Sequence, residues 1–136
     1  MTSLFQWQHS CSVGVRAMDD QHAIIMDTMN ELRLALIRSH QQASADELLN
    51  KLIEFTRLHF WNEERLMEQY SFPGLAEHRT EHQRLLRQLQ ETFSWLHHGE
   101  TANISELLFF LHDWFIDHVE GLDQQYGPWL NKHGVH

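Results

Sequence analysis

The sequence predicts an all-α protein, an antiparallel up-down-up-down four-helix bundle preceded by an N-terminal extended arm. Three observations lead to this fold class. Apolar residues recur at steps of three and four in four long segments, short turn-forming stretches separate these segments, and strand-like alternation is absent from the sequence. With 136 residues, the chain is expected to form a single domain that spans residues 1–136.

The arm covers residues 1–16, where Gly14 favours an extended or turning path and Phe5 and Trp7 offer large side chains for packing. The first helix is predicted over 18–39. One position of its apolar stripe is occupied by a histidine instead of an apolar residue, and the stripe reads Met18, His22, Ile25, Met29, Leu32, Leu36.

The second helix is predicted over 45–70, because Ser44 and Glu47 form a capping-box pattern and Pro73 with Gly74 breaks the helix. Two ionisable residues interrupt its inward stripe, which reads Leu49, Leu52, Ile53, Thr56, His59, Glu63, Leu66, Met67, Tyr70.

The third and fourth helices are predicted over 75–96 and 104–125. Gly99 suits the end of the third, Asn103 suits the N-cap of the fourth, and Gly127-Pro128 is expected to end the fourth. The inward stripes again carry histidines: Leu75, His78, His82, Leu85, Leu89, Phe93, Leu96 on the third, and Ile104, Leu107, Leu108, Leu111, Phe115, His118, Leu122 on the fourth.

Composition excludes several classes of function. The net charge of −9 argues against nucleic acid and anionic membrane as partners, since both attract basic proteins. A single cysteine, Cys11, forbids an internal disulfide, and no apolar run is long enough for membrane insertion. The N-terminus lacks the pattern of a signal peptide, so a cytoplasmic location is expected. The twelve histidines are scattered, which does not fit a tag.

Six ionisable residues lie on the predicted buried stripes, where unpaired charge is costly. Antiparallel packing brings the start of helix one, the end of helix two, the start of helix three and the end of helix four to the same end of the bundle. The six residues that meet there are His22, His59, Glu63, His78, His82 and His118. Their convergence predicts a metal site.

Asp123 follows His118 by five residues, which turns it away on a regular α-helix. A π-bulge near 120–122, eased by Gly121, is predicted to restore the alignment. Five imidazoles and two carboxylates exceed the coordination number of one ion, so two ions bridged by the carboxylates are expected. A donor set without thiolate favours iron or manganese over structural zinc.

The motifs HFWNE at 59–63, HRTEH at 78–82 and HVEGLD at 118–123, together with His22, resemble the hemerythrin family, in particular its bacterial branch, the bacteriohemerythrins. The resemblance covers Trp7 to about Leu130. It implies two iron ions bridged by Glu63, Asp123 and an oxo or hydroxo group. One iron takes His78, His82 and His118, and the other takes His22 and His59, keeps an open position and binds dioxygen.

The resemblance implies a reversible oxygen binder, used for carriage, storage or local delivery, and not an enzyme. A di-iron enzyme or a sensor acting on dioxygen, peroxide or nitric oxide is the alternative. A monomer is expected, and any oxygen-consuming protein partner is unknown. Glu64 is an alternative bridge to Glu63, and His112 is expected outside the site. An apolar sleeve is expected around the open iron, with candidates Ile25, Phe60, Leu85, Leu111 and Phe115.

Overall fold

The computed structural model describes residues 11–38, 42–97 and 104–136. Helices account for most of this part of the chain, and it contains no strand, so the all-α prediction is confirmed. No helix among these residues has the length and apolar character needed to cross a membrane. The elements, in chain order, are α1 Arg16–Arg38, α2 Gln42–Gln69, α3 Leu75–His97, α4 Ile104–Glu120 and α5 Asp123–Lys132.

The four long helices pack as an antiparallel bundle. Helix α2 packs against both α1 and α3, and α1 packs against α4. Near the start of α1, His22 contacts Glu63 near the end of α2, which fixes the antiparallel sense of this pair. Between α3 and α4, the indole N–H of Trp114 donates a hydrogen bond to the Leu85 carbonyl at 3.1 Å. The helix ends that carry the predicted metal-binding residues therefore lie together at one end of the bundle.

Helix bounds agree with the predicted ones to within three residues for the first three helices. Helix α2 begins at Gln42, so Ser44 lies inside the helix and not at its first residue. Asn103, the predicted cap of the fourth helix, lies outside the described residues.

The predicted fourth helix, 104–125, is divided into α4 and α5 by a two-residue turn. The N–H of Gly121 bonds the Asp117 carbonyl at 3.0 Å, an ordinary four-residue step, whereas the N–H of Gln124 bonds Gly121 at 3.2 Å over three residues. The predicted π-bulge is therefore wrong, because the backbone tightens here instead of widening. The turn nevertheless brings Asp123, the first residue of α5, into the interior.

The prediction that Gly127-Pro128 ends the fourth helix is also wrong, since α5 continues to Lys132. Gly127 serves close packing: a Cβ at this position would lie 1.9 Å from the carbonyl oxygen of Val13. The amide of Asn131 adds a hydrogen bond of 2.8 Å to the Gly14 carbonyl. The segment before α1 is thereby docked on α5.

The described part of the predicted arm, residues 11–15, packs on the bundle through Cys11, Val13 and Val15, all buried. Its path is fixed by Asp19, whose carboxylate accepts hydrogen bonds from the Ser12 hydroxyl at 2.7 Å and the Val13 N–H at 2.8 Å. The two large aromatic residues predicted to pack in the arm, Phe5 and Trp7, lie outside the described residues.

Helix α2 ends in a Schellman motif, which directs the chain into α3. The N–H of Phe72 reaches the Met67 carbonyl at 2.8 Å and the N–H of Ser71 reaches the Glu68 carbonyl at 3.2 Å. The motif needs a left-handed residue, and Ser71 adopts φ 54°. Helix α5 ends in the same pattern with Gly134 at φ 87°, the residue type that adopts this conformation without strain.

Candidate metal centre

All seven residues that the sequence singles out lie in the interior, at one end of the bundle, and each is less than a tenth exposed. Their nitrogen and oxygen atoms form two groups, each with all of its potential ligand atoms within 4.8 Å of one another. One group contains Glu63, His78, His82, His118 and Asp123, and the other contains His22, His59, Glu63 and Asp123. Glu63 and Asp123 belong to both groups, so they link a three-histidine position to a two-histidine position.

In the three-histidine group, Asp123 is the common neighbour of two imidazoles. Its Oδ1 atom lies 2.8 Å from Nε2 of His78 and 2.9 Å from Nε2 of His118. The third imidazole faces the other carboxylate, with 3.2 Å between Nε2 of His82 and Oε1 of Glu63. All three histidines thus present Nε2 to the shared carboxylates.

The two-histidine group is built in the same way. Nε2 of His22 lies 3.2 Å from Oδ2 of Asp123 and 3.5 Å from Oε2 of Glu63. Nε2 of His59 lies 3.3 Å from Oε1 of Glu63, four residues later on the same helix. Asp123 therefore offers one oxygen to each group.

Two of the imidazoles are oriented from behind by polar side chains. Nδ1 of His59 lies 2.6 Å from the amide oxygen of Gln21, and Nδ1 of His82 lies 2.8 Å from Oε2 of Glu64. Each Nδ1–H donates to these oxygens, so Nε2 is the ring nitrogen that faces the shared carboxylates and would bind a cation. Glu64 is a member of neither group, so it takes this supporting position and not that of an alternative bridge.

Tyr126 was not predicted as a site residue, yet its phenol donates a hydrogen bond to Oε2 of Glu63. The side chain is buried, and burial together with the charge of Glu63 raises the pKa of Tyr126 well above its usual value. The phenol therefore acts as a hydrogen-bond donor to the shared carboxylate. The sequence signal is that Tyr126 follows Asp123 by three residues. This spacing places both side chains on the same face of a helix, but it could be used only once α5 was known to be a helix.

The two shared carboxylates are buried and ionised, so they are stable only with positive charge nearby. Burial alone would raise the pKa of Glu63, but neighbouring histidines hold it well below its usual value. Burial lowers and the carboxylates of Asp123 and Glu63 raise the pKa of His22, which reaches about 10 in the metal-free chain. His59 behaves differently, because burial lowers its pKa more than Glu63 raises it. The centre is thus an anionic pocket in which bound protons or cations neutralise two carboxylates.

A small cavity adjoins the two-histidine group and has about 10 Å³ of space for a water-sized molecule. The polar residues among those that line it are His22, His59, His118 and Thr56. The remaining lining residues are aliphatic or aromatic: Ile25, Phe60, Leu85, Trp114, Phe115 and Val119. Four of the five predicted sleeve residues line it, and the fifth, Leu111, is buried in the core.

Comparison with known proteins decides the family. The family model described as the hemerythrin HHE cation binding domain matches residues 13–130. The chain belongs to the hemerythrin family. The predicted resemblance is thereby confirmed over nearly the whole length of the chain.

Relatives within the hemerythrin family come from bacteria and from an animal. The bacteriohemerythrin of Stenotrophomonas maltophilia is 30% identical, and the match covers 96% of this chain and 84% of the relative. The myohemerythrin of Sipunculus nudus is 27% identical, with 90% of each chain covered. A crystal structure described as wild-type hemerythrin is 28% identical, and the match covers 93% of this chain and 98% of that chain with a TM-score of 0.83.

The donor set of this hemerythrin chain fits metal ions. Among the described residues, ten buried side-chain nitrogen and oxygen atoms have no hydrogen-bond partner, and nine belong to the seven clustered residues. Buried polar atoms are seldom left unpaired, because each costs stability. Cations would satisfy the nitrogens and oxygens that point to the centre of each group. Imidazole and carboxylate donors suit iron and manganese.

Proposed function

We propose that this chain holds two iron ions and binds dioxygen reversibly, as a carrier, a store or a local supplier. One observation carries the proposal. Two carboxylates are shared between a three-histidine group and a two-histidine group, and a mostly apolar cavity opens beside the group with fewer ligands. The family implies a di-iron centre, and this arrangement supplies residues for both ions.

The ligand assignment follows from the two groups. His78, His82 and His118 would hold one ion, and His22 and His59 would hold the other. Glu63 and Asp123 would bridge them, with an oxo or hydroxo group as the third link. The ion beside the cavity would have one histidine fewer than its neighbour, which leaves a position for the ligand there. Ferrous ions, when bound, supply the two electrons that reversible dioxygen binding requires.

The chain's own residues exclude water from this position. Phe60 stacks on His82 with 3.8 Å between ring centroids and an interplanar angle of 3°, which closes one wall. Phe115 packs edge-to-face against His22, with 5.9 Å between ring centroids, and closes another wall of the cavity. A mostly apolar cavity limits the access of protons and water that would turn bound oxygen into released, reduced products.

The cavity lining favours binding over turnover. Among the described residues, no Asp, Glu or Lys side chain lines the cavity, and the three histidines there belong to the metal groups. A substrate in the cavity would therefore meet no group placed for general acid–base catalysis. Sustained turnover of peroxide or nitric oxide by the iron-loaded protein would contradict this reasoning and favour an enzyme.

The decisive experiment measures iron content and visible absorption of the loaded protein. We expect two irons per chain, a nearly colourless reduced form, a coloured form in air, and loss of the colour under argon over repeated cycles. One iron per chain, or oxidation that cannot be reversed by removing oxygen, would contradict the proposal.

Two histidine variants give a matched comparison on the same helix. His118→Ala removes a member of the three-histidine group and should lose iron or oxygen binding. His112 is half-buried, and its Nδ1 atom lies 3.3 Å from Oδ1 of Asp113. It belongs to neither group, so His112→Ala should retain both iron and oxygen binding. Equal loss in both variants would show that iron is bound elsewhere.

A further inference from the structure

One buried threonine behaves unlike three other threonines that the structure describes. The hydroxyls of Thr28, Thr80 and Thr92 donate to the backbone carbonyl four residues earlier, at 2.8, 3.1 and 2.9 Å. Threonine side chains in helices commonly make this hydrogen bond. Thr56 also lies in a helix and is fully buried, but its hydroxyl has no hydrogen-bond partner among the described residues.

Thr56 stands in the wall of the cavity, three residues before His59 on α2. The wall also includes His22 and His59, the two histidines of the group with fewer ligands. Of the other non-histidine side chains in the wall, only Trp114 carries a polar group, and its N–H is already donated to the Leu85 carbonyl. Thr56 is thus the one lining residue of the described cavity, outside the two metal groups, that carries an unpaired polar group.

We propose that the Thr56 hydroxyl donates a hydrogen bond to the outer atom of a small ligand held in this cavity. The hydroxyl rotates freely and so adapts to the ligand. Hydrogen bonds to charged acceptors are stronger than neutral ones, so Thr56 favours di- and triatomic ligands that carry negative charge when bound. Thr56 is then a specificity-determining residue. The inference rests on the proposed function, because the ligand must be held by a metal ion beside His22 and His59.

The test compares azide binding by three variants of the iron-loaded, oxidised full chain. Thr56→Val removes the hydroxyl and keeps the branched shape, Thr56→Ser keeps the hydroxyl, and Thr28→Val removes a buried hydroxyl on α1 that does not line the cavity. Azide titration followed by visible absorption should give about tenfold weaker binding for Thr56→Val. The other two variants should stay within about twofold of the wild type.

A second readout does not depend on iron. An unpaired buried hydroxyl destabilises the fold, so Thr56→Val should raise the melting temperature of the metal-free protein by a few degrees. A threonine with a purely structural role would lower it when replaced. Unchanged azide affinity, or a lower melting temperature, in Thr56→Val overturns the role of Thr56 alone. A wild-type protein that takes up iron but binds neither azide nor dioxygen overturns the proposed function and this inference together.

Discussion

The phenol of Tyr126 on α5 donates a hydrogen bond to Oε2 of Glu63 on α2, the carboxylate that both metal groups share. A single side chain thereby fixes the carboxylate on which the two positions depend. The contact also joins α5 to the centre at a second point, three residues after Asp123.

Tyr126→Phe should weaken the centre without disturbing the packing, since only the buried hydroxyl is lost. Hydrogen bonds to charged groups contribute about 1.5–3 kcal/mol, so the free energy of unfolding of the metal-free protein should fall by about that amount. Urea titration measures this change, and a chelator competition should show weaker iron retention. Tyr70→Phe, on the other tyrosine of the chain, is the control. Equal behaviour of the two variants would show that the Glu63 contact is unimportant.

Glu64→Gln should loosen the three-histidine position. Glu64 accepts a hydrogen bond from His82 and lies 3.2 Å from Arg79, and these contacts outweigh burial and lower the pKa of Glu64. Loss of such a supporting carboxylate typically reduces metal affinity by about 10–100-fold. Glu68→Gln is the matched control, because Glu68 also contacts Arg79, at 3.1 Å, but is exposed and belongs to neither metal group. Competition with a chelator should separate the two variants, and similar affinities would count against the supporting role.

The stability of the metal-free protein should depend on pH from both sides. His22 and His82 have pKa values raised to about 10 and about 9, so their stabilisation is full below about pH 6.5 and is lost as the pH rises through those values. Glu63 and Asp123 have lowered pKa values, so their stabilisation is present above about pH 4 and is lost on acidification. Thermal unfolding should therefore show a maximum between about pH 4 and 6.5, with a decline on both sides. A flat profile from about pH 4 to 10 would contradict the charge pairing.

Ser71→Gly should stabilise the protein by about 0.5–1 kcal/mol, because it removes the cost of a left-handed residue at the end of α2. The equivalent position after α5 already carries Gly134. Ser71→Ala keeps the unfavourable backbone angle and serves as the control, for which no gain is expected. A gain in the alanine variant of the same size would mean that the serine side chain, and not the backbone angle, is responsible.

Much of the architecture follows from spacing alone. Steps of three and four place apolar residues inside, and the histidines that replace them share the same faces, so both the bundle and the convergence of the ionisable side chains were predictable. The course of the chain after His118 could not be predicted from the sequence. Whether the backbone widens or tightens at Gly121 depends on which carbonyl each N–H finds, and residue order does not encode that choice.

The role of the residues that support the centre also could not be predicted from the sequence. Gln21 and Glu64 each precede or follow a stripe residue by one position, and such neighbours usually face solvent on a surface helix. Their contacts with His59 and His82 depend on how closely α1, α2 and α3 approach. The glycine at 127 reads as a helix breaker until the carbonyl of Val13 is seen against it.

Asp123 opens α5, and α5 is held in place by residues 11–15 through Gly127 and Asn131. Metal binding at the centre should therefore also stabilise the anchoring of these two segments, since a ligand that binds only the folded form stabilises the contacts formed in it. Loss of a bound metal should loosen residues 11–15 and α5 together and expose them to proteases. The metal-loaded protein should then resist proteolysis longer than the metal-free protein, and limited digestion would show protection in these two segments first.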